Sequence, residues 1–350
     1  MLTELLSRSS PTEEIDVLPT AGIIGHGYSV PDGVRRNDDP AFASLNQQRN
    51  SQGVIEAAVF RGLDRRRVLA KGEPIEEHVV RAANSAMERA NLTPGEIDRL
   101  YGYVTASQYA TPNSLYQVHH LLRLPPEVMV VPINSEYSNF LLGLVHAAEA
   151  VAAGAAGNSL VACGANWSGH MNFTKGHSFS IGDAAGAAVV GPSDRFVITD
   201  HITCTLSSQY HGLTMTTRTM DLNGLTVMPV DPVTNLPIQT YDMTQTGIED
   251  LAGVVKDSVA TIVQSLLERN NVNPSDLTLM THQGSRLLMD HWQERIRPKA
   301  YLDTLAEHGN MTVATYPVNL SYFFEEIDTA YTVIVAVGCG LHVTAVLLRN

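Results

Sequence analysis

Two polar residues, His282 and Asn310, lie in sequence settings that suit catalysis. His282 directly follows the apolar run 277–281, which predicts a buried strand, and Asn310 ends the stretch His308-Gly309-Asn310. A histidine at the end of a buried strand can donate a hydrogen bond from Nε2, and a carboxamide from a second loop can donate to the same oxygen. The pair therefore predicts a site that stabilises an oxygen atom as it gains negative charge.

Alternating helices and strands are expected to bring these two residues together. Helical periods of apolar residues alternate along the chain with short apolar runs, and glycine, proline and asparagine separate them. The predicted order is a strand at 21–27, a helix at 75–90, a strand at 100–104, a helix at 114–122, a strand at 128–133, a helix at 140–152, a strand at 159–163, a helix at 248–269, a strand at 277–281, a helix from Ser285 and a final pair of strands. This alternation is typical of an α/β sheet with helices on both faces.

The two halves of the chain share a local pattern. Residues 92–98 and residues 272–277 each place a proline shortly after a long predicted helix and before a predicted strand. This similarity predicts an internal duplication. The expected organisation is an N-terminal extension at 1–19, a first half at 20–200 and a second half at 201–350.

Composition and charge narrow the class of partner. The 350 residues contain 36 Asp and Glu against 23 Lys and Arg, a formal net charge of −13, so nucleic-acid binding is not expected. The first residues lack the features of a signal peptide, and the run 140–151 is too short and too polar to span a bilayer, so no membrane partner is expected either. Three scattered cysteines form no disulfide framework and no close-spaced metal pair, which favours a reducing cytoplasm.

Four motifs in this order along the chain resemble the ketoacyl-ACP synthase III family of thiolase-fold condensing enzymes. They are Gly182-Asp183-Ala184-Ala185-Gly186-Ala187-Ala188, Met280-Thr281-His282-Gln283-Gly284-Ser285-Arg286, His308-Gly309-Asn310-Met311-Thr312-Val313-Ala314 and Gly338-Cys339-Gly340. The resemblance implies the thiolase fold, a duplicated five-layer αβαβα core, in a homodimer or a heterodimer with a related chain. In that family a Cys-His-Asn triad handles acyl thioesters of coenzyme A or acyl carrier protein, and neither a cofactor nor a metal is implied.

The nucleophile is where this sequence differs from the family it resembles. When Phe140 is aligned with the phenylalanine that follows the family's cysteine, Tyr137 falls at the cysteine position and Ser138 lies one residue on. A thiolate is a strong nucleophile at a helix N-terminus, whereas a phenol or a hydroxyl needs an adjacent base. Tyr137 is therefore a poor acyl carrier.

Three interpretations of the site remain open at this point. In the first, Ser138 replaces the cysteine, is activated by His282 and forms an acyl ester. In the second, no covalent intermediate forms, and His282 with Asn310 catalyses decarboxylation or direct transfer while the Tyr137 hydroxyl orients the acceptor. In the third, the chain is a noncatalytic partner that shapes a pocket in a heterodimer.

Substrate-binding residues are carried over from the family in the same way. The family clamps the adenine of coenzyme A with a Trp and an Arg, and the matching positions here are Ala57 and Phe60. Phe60 remains able to stack on adenine, and Arg61 with the run 65–67 can meet phosphates or an acidic carrier protein, unless these arginines form only a solvated helix edge. The backbone N–H of Gly340 is the expected oxyanion donor.

The segment 207–243 has no sustained period and contains several methionines. It predicts a long ordered loop or hairpin that covers the site or meets a partner. A chain with both its nucleophile and its coenzyme clamp altered fits a specialised pathway, such as polyketide or related natural-product assembly, better than fatty-acid initiation.

Overall fold

The computed structural model describes residues 20–45, 59–232, 238–244, 247, 249 and 251–350, so the predicted extension at 1–19 lies outside the described residues. The strands are β1 (Ala21–Ser29), β2 (Val34–Arg36), β3 (Arg65–Arg67), β4 (Arg99–Thr105), β5 (Met129–Pro132), β6 (Ser159–Ala165), β7 (Ala184–Pro192), β8 (Val197–Thr205), β9 (Leu213–Thr217), β10 (Met220–Leu222), β11 (Leu225–Val227), β12 (Gln239–Met243), β13 (Leu277–Thr281), β14 (Ala300–Tyr301), β15 (Tyr331–Gly338) and β16 (His342–Arg349). The helices are α1 (Ile75–Arg89), α2 (Leu115–Leu121), α3 (Asn139–Ala152), α4 (Lys256–Arg269), α5 (Arg286–Ile296), α6 (Leu305–His308) and α7 (Thr315–Tyr322).

A mixed sheet of ten strands runs through the described part of the chain, in the order β14-β13-β15-β16-β8-β1-β7-β6-β4-β5. In its first half β1 pairs antiparallel with β7, β7 antiparallel with β6, β6 parallel with β4 and β4 parallel with β5. The second half repeats this order and these directions with β8, β16, β15, β13 and β14. The predicted duplication is therefore confirmed in the sheet topology, and the boundary proposed at 200/201 falls inside β8.

Helices cover both half-sheets and also fill the space between them. Helices α3 and α7 contact strands of both halves, while α1 packs on β1, β6 and β7, and α4 packs on β8, β15 and β16. Along β6, Leu160 and Ala162 join the apolar cluster under α1, whereas Val161 and Cys163 join the central cluster around α3. Because successive side chains of a strand point to opposite faces, helices lie on both faces of this sheet. This is the five-layer αβαβα core, so the predicted fold class is confirmed.

Glycines in β1 explain how α1 approaches the sheet so closely. A β-carbon on Gly25 would lie 2.1 Å from the Ala86 carbonyl oxygen, and one on Gly27 would lie 2.2 Å from the Ala82 carbonyl oxygen. Both alanines are on the buried face of α1. The helix backbone thus rests directly on the strand backbone, which only glycine permits at these positions.

Strand β13 positions the site, and its sequence explains its place in the sheet. All five residues of β13 are buried, and the strand lies parallel to β15 on one side and to β14 on the other. A continuous apolar run is the pattern of a parallel strand that is covered on both faces. The residues after β13 consequently emerge at the carboxyl edge of the sheet, where His282 begins the next loop.

The predicted helices and strands of the core lie where they were expected, within a few residues at their ends. One start differs: α4 begins at Lys256 after a π-helical turn at Leu251–Val255, and the predicted start at Ile248 lies outside the described residues. The segment 207–243, predicted to be a long ordered loop or hairpin, contains two small antiparallel two-stranded sheets, β9 with β12 and β10 with β11. In the described part of the chain, no helix combines the length and the apolar character needed to cross a bilayer.

Candidate active site

His282 is held in the first turn after β13 with its ring buried. Its backbone N–H donates to the Val335 carbonyl oxygen at 2.9 Å, which extends the parallel pairing of β13 and β15 by one residue. The imidazole is 8% exposed, and burial lowers its pKa to about 4. The ring is therefore neutral at physiological pH.

The hydrogen bond to Tyr316 of α7 indicates which ring nitrogen of the neutral His282 carries the proton. The Tyr316 hydroxyl lies 3.3 Å from Nδ1 of His282. Burial raises the pKa of Tyr316, so the phenol keeps its proton. A backbone hydrogen bond from Val337 opposes that rise, which means that the phenol oxygen accepts from the Val337 N–H and can still donate its own O–H. We assign that proton to the bond with Nδ1, which leaves the histidine N–H on Nε2.

Asn310 reaches the same space from a second loop. Its backbone N–H donates to the Ser180 carbonyl oxygen at 2.7 Å, and its carbonyl oxygen accepts from the Gly182 N–H at 2.9 Å. The side-chain Oδ1 accepts from the Thr312 N–H at 3.0 Å, so the Nδ2 group is left to point elsewhere. Gly182 permits this contact, because a β-carbon there would lie 2.2 Å from the His308 carbonyl oxygen.

The two donors converge beside Gly284. A β-carbon built on this glycine would lie 3.0 Å from His282 Nε2 and 3.7 Å from Asn310 Nδ2. A side chain at position 284 would therefore crowd both groups, and glycine leaves the space in front of them open. His282 and Asn310, which the sequence selected separately, thus lie on the same side of one turn.

Gln283 fixes the distance between the two loops. Its Nε2 donates to the Gly309 carbonyl oxygen at 2.6 Å, and its Oε1 accepts from Asn319 Nδ2 at 2.9 Å and from the Thr304 N–H at 3.2 Å. The amide is fully buried. These bonds replace the hydration that the Gln283 amide loses on burial. They also connect the Asn310 loop to the end of β13.

Tyr137 lies directly against the histidine. Its ring stacks on the His282 ring with centroids 5.5 Å apart and planes inclined by 20°, and its hydroxyl donates to the Tyr241 hydroxyl at 2.8 Å. Burial raises the pKa of Tyr137 well above its usual value. The structure thus brings the residue at the expected cysteine position into the site, as a neutral phenol whose hydroxyl proton is bonded to another tyrosine.

Ser138 is in the opening turn of α3 but does not meet the histidine. Its side chain is fully buried, and its Oγ has no hydrogen-bond partner among the described residues. It also makes no capping bond to the helix. The hydrogen bond to His282 that an activated serine requires is therefore not formed in this arrangement.

Comparison with known proteins identifies the family. The family model described as 3-oxoacyl-[acyl-carrier-protein] synthase III matches residues 132–205, and the model of its C-terminal part matches residues 267–350. Curated relatives include the β-ketoacyl-[acyl-carrier-protein] synthase III of Campylobacter jejuni, 25% identical over 76% of this chain and 78% of that protein, and that of Listeria welshimeri, 25% identical over 94% of this chain and 98% of that protein. This chain is ketoacyl synthase III-like.

Solved structures show the same fold. The priming β-ketosynthase of a polyketide biosynthetic pathway superposes with a TM-score of 0.79 at 20% identity, over 97% of this chain and 99% of that one. The 3-oxoacyl-[acyl-carrier-protein] synthase III of Aquifex aeolicus superposes with a TM-score of 0.77 at 24% identity, over 94% of this chain and 100% of that one. The ketoacyl synthase III-like fold therefore extends over nearly the whole chain.

A buried carboxyl group that the sequence did not single out lies beside the site of this ketoacyl synthase III-like chain. Burial is the largest influence on the Glu136 carboxyl group, and it raises the pKa to about 7. The residue is partly exposed, but its Oε1 is fully buried. Glu136 precedes Tyr137, the predicted cysteine position, and a carboxyl group just before an apolar helix was the available signal.

The glycine-rich loop lies where the family resemblance implies. The Cys339 N–H donates to the Glu136 carbonyl oxygen, which brings Gly338-Cys339-Gly340 against the residues that precede α3. Gly340 has a φ of +71°, so its N–H direction depends on a conformation that favours glycine. Burial raises the pKa of Cys339, so its thiol is not ionised and is no ready substitute for the missing nucleophile.

The predicted substrate-binding residues divide into buried and exposed ones. Phe60 is buried, whereas Arg61 is exposed and its carbonyl oxygen accepts from the Arg286 N–H at 3.0 Å, close to the Gly284 turn. Ala57, the other predicted clamp position, lies outside the described residues.

The arginine run at 65–67 is a strand, β3, so the alternative of a solvated helix edge is wrong. Arg66 is fully buried and donates to Asn37 Oδ1 at 2.8 Å, while Arg65 pairs with Glu307 at 3.3 Å. The alternation of a strand turns Arg66 inward and its neighbours outward, so Arg66 is a structural residue. In the described residues there is no group of three or more side chains suited to hold a metal ion.

Proposed function

We propose that this ketoacyl synthase III-like chain is an enzyme that acts on acyl thioesters of coenzyme A or of an acyl carrier protein. The observation that carries the proposal is that His282 Nε2 and Asn310 Nδ2 lie within 3.0 Å and 3.7 Å of the place that a β-carbon on Gly284 would take, so the two groups border the same space. Two neutral donors in a buried, preorganised site stabilise a developing enolate or oxyanion more strongly than water does. The names of the curated relatives support acyl carrier thioesters as the substrate class.

We further propose that the reaction proceeds without an acyl-enzyme. A neutral phenol with a raised pKa and a serine without a base are both poor nucleophiles, which favours decarboxylation or direct transfer over covalent catalysis. In the decarboxylation of a malonyl thioester, the bond to the carboxylate carbon breaks and CO₂ leaves. The electron pair moves onto the thioester oxygen, which accepts from His282 and Asn310, and the enolate carbon then takes a proton to give the acetyl thioester.

The setting of the enzyme is part of the same proposal. We place it in polyketide or related natural-product assembly in the cytoplasm, as a homodimer or as a heterodimer with a related chain. The likeness to a priming β-ketosynthase supports the pathway, and the replacement of the cysteine supports a role other than fatty-acid initiation.

The test is conversion of malonyl-CoA and of malonyl-carrier protein to the acetyl thioesters, followed by mass spectrometry. His282→Ala and Asn310→Ala should each lower kcat by about 100- to 1,000-fold, the usual cost of losing one oxyanion donor. The exposed His120 of α2 supplies the matched control, and His120→Ala should leave the rate unchanged. An unchanged rate in His282→Ala would refute the proposed site.

Intact-protein mass spectrometry after incubation with acyl thioesters separates the three interpretations. No mass gain in the active wild type supports noncovalent catalysis. A gain that is lost only in Ser138→Ala, and not in Tyr137→Phe, would instead establish an acyl-serine. Neither adduct nor turnover, with activity appearing only when a second chain is added, would identify a noncatalytic partner.

A further inference from the structure

A group of aromatic side chains fills the interior next to His282. Behind Tyr137, the Trp167 ring lies 6.3 Å away and inclined by 63°, and the Tyr241 ring meets Trp167 edge-on at 4.5 Å. His177 packs on the other edge of Tyr241 at 5.1 Å. These four residues are at most 4% exposed, so they leave no room for solvent between them.

Tyr241 comes from outside the duplicated core. It lies on β12, which pairs only with β9 among the described strands, and it forms a bridge with Met171. Its hydroxyl accepts from the Tyr137 hydroxyl across 104 residues of sequence. The β9–β12 sheet is thus fastened to the opening turn of α3 by a bond between two buried phenols.

The orientation of a bound thioester would bring its acyl group against these aromatic side chains. When the thioester oxygen lies between His282 and Asn310, the arm to coenzyme A or carrier protein has to lead out to solvent, because those carriers are large and polar. The acyl group then points inward. On the side of His282 that faces α3, the inward space is occupied by Tyr137, with Trp167 and Tyr241 behind it.

We propose that Tyr137 and Tyr241 together close the acyl end of the site and restrict this enzyme to thioesters with short acyl groups, such as malonyl, acetyl or propionyl. The inference rests on the proposed function and names its substrate class. A chain of more than a few carbons has to displace the Tyr137 ring, break the bond to Tyr241 and disturb close-packed aromatic contacts. Tyr137 and Tyr241 are thus specificity-determining residues rather than nucleophiles.

The experiment measures binding, so it is independent of turnover. The probes are coenzyme A analogues in which a methylene group replaces the thioester sulfur, with acetyl, hexanoyl and decanoyl groups, and dissociation constants come from calorimetry. Wild type should bind the acetyl analogue at least tenfold more tightly than the decanoyl analogue, a difference of the size that pocket fit produces. Equal affinities for all three lengths would overturn the inference and leave the proposed function standing.

Variants of Tyr241 test the mechanism of the restriction. Tyr241→Ala should shift the decanoyl-to-acetyl affinity ratio at least tenfold toward the long chain, whereas Tyr241→Phe keeps the ring and should keep the preference for acetyl. Tyr210→Ala is the control, since Tyr210 lies in the same segment and is 67% exposed. An unchanged ratio in a folded Tyr241→Ala would overturn the inference; if this variant does not fold, the wild-type length series still decides it.

Failure of the proposed function has a different outcome. If wild type binds none of the three analogues, thioester binding itself is refuted, and the inference of a closed acyl end then has no basis. Acetyl binding that is weakened by Asn310→Ala, together with length-independent affinities, would retain the oxygen site and reject only the role of the two tyrosines.

Discussion

At the residue scale, the site is built from neutral groups. His282 is neutral because it is buried without a carboxylate partner, and Tyr137 is neutral because burial raises the pKa of its phenol. In the family that this chain resembles, the cysteine is the group that requires ionisation, and the alignment on Phe140 predicts Tyr137 at that position. The chemistry that remains is hydrogen-bond donation to a substrate oxygen, which does not depend on a change of charge in either residue.

This neutrality predicts the pH dependence of the reaction. Because the pKa of His282 is lowered to about 4, His282 should not change charge between pH 5.5 and pH 8, and it should contribute no inflection near 6.5. The measurement is kcat/KM for malonyl-CoA decarboxylation across that range. An inflection near 7 that disappears in Glu136→Gln belongs to Glu136, while one near 6.5 that remains would contradict the assignment for His282.

At the element scale, the loop between α6 and α7 determines where Asn310 points. Gly309 has a φ of +74° and a ψ of −161°, a region that is almost confined to glycine. A β-carbon there would lie 2.6 Å from the Ser180 carbonyl oxygen, the same atom that accepts from the Asn310 N–H. The loop and the segment 180–182 that it bridges can therefore not separate without moving the carboxamide.

Gly309→Ala should therefore lower both stability and activity. We expect a loss of about 2–4 kcal/mol in the free energy of unfolding, from backbone strain together with the steric overlap. Affinity for the acetyl analogue should fall as well, since Asn310 moves. Urea unfolding and calorimetry measure the two effects.

Gly154 offers the matched control for this substitution. It also has a positive φ, +66°, but a β-carbon there would meet no atom within 4 Å. Gly154→Ala should cost only about 1 kcal/mol and leave ligand affinity unchanged. Equal losses in the two variants would show that the overlap at Gly309 has no effect of its own.

At the scale of the whole molecule, the five-layer architecture places a carboxyl group at the end of its central layer. Glu136 directly precedes the residues that begin α3, a helix that packs on both half-sheets. Five neighbouring groups interact electrostatically with Glu136: Tyr103, Tyr137, Cys163, Tyr316 and Cys339. Burial raises the pKa of each of the five, so none of them ionises near neutral pH. Glu136 is therefore the group of this cluster that titrates between pH 4.5 and 7.

The difference between the pKa of Glu136 in the folded and unfolded states determines how stability changes with pH. The folded state holds the Glu136 proton up to a pKa of about 7, whereas an unfolded glutamate loses it near its model value of 4.5. The folded state thus binds more protons in this window, so stability falls as pH rises from 4.5 to 7 and stays lower above it. Glu136→Gln removes the ionisation and should stabilise the protein at pH 8 by roughly 3 kcal/mol, with little effect at pH 4.5.

The measurement is urea unfolding of both proteins between pH 4.5 and pH 8. The expected result is a difference in stability that grows with pH and levels off above pH 7. A constant difference across the range would mean that Glu136 is not held protonated in the folded state.

The sequence by itself determined the fold and selected the residues from which the site is proposed. The run 277–281 and the periods of α1 and α3 specify β13 and the helices, because burial of an apolar face is a local pattern that each segment carries on its own. His282 and Asn310 could be selected because each sits in a short motif next to such a segment. The spacing to Phe140 likewise predicted Tyr137 at the position of the family's cysteine, and the structure places Tyr137 against His282.

Only the tertiary structure decided what these residues contact. Tyr137 bonds to Tyr241, which is 104 residues away on a strand outside the core, and no local pattern specifies that pair. Ser138 and Glu136 flank Tyr137, yet they differ. The Ser138 hydroxyl is buried with no hydrogen-bond partner among the described residues, whereas burial raises the pKa of the Glu136 carboxyl group to about 7. These environments depend on how helices and half-sheets from distant parts of the chain pack around α3, and packing is a property of the folded whole rather than of any one segment.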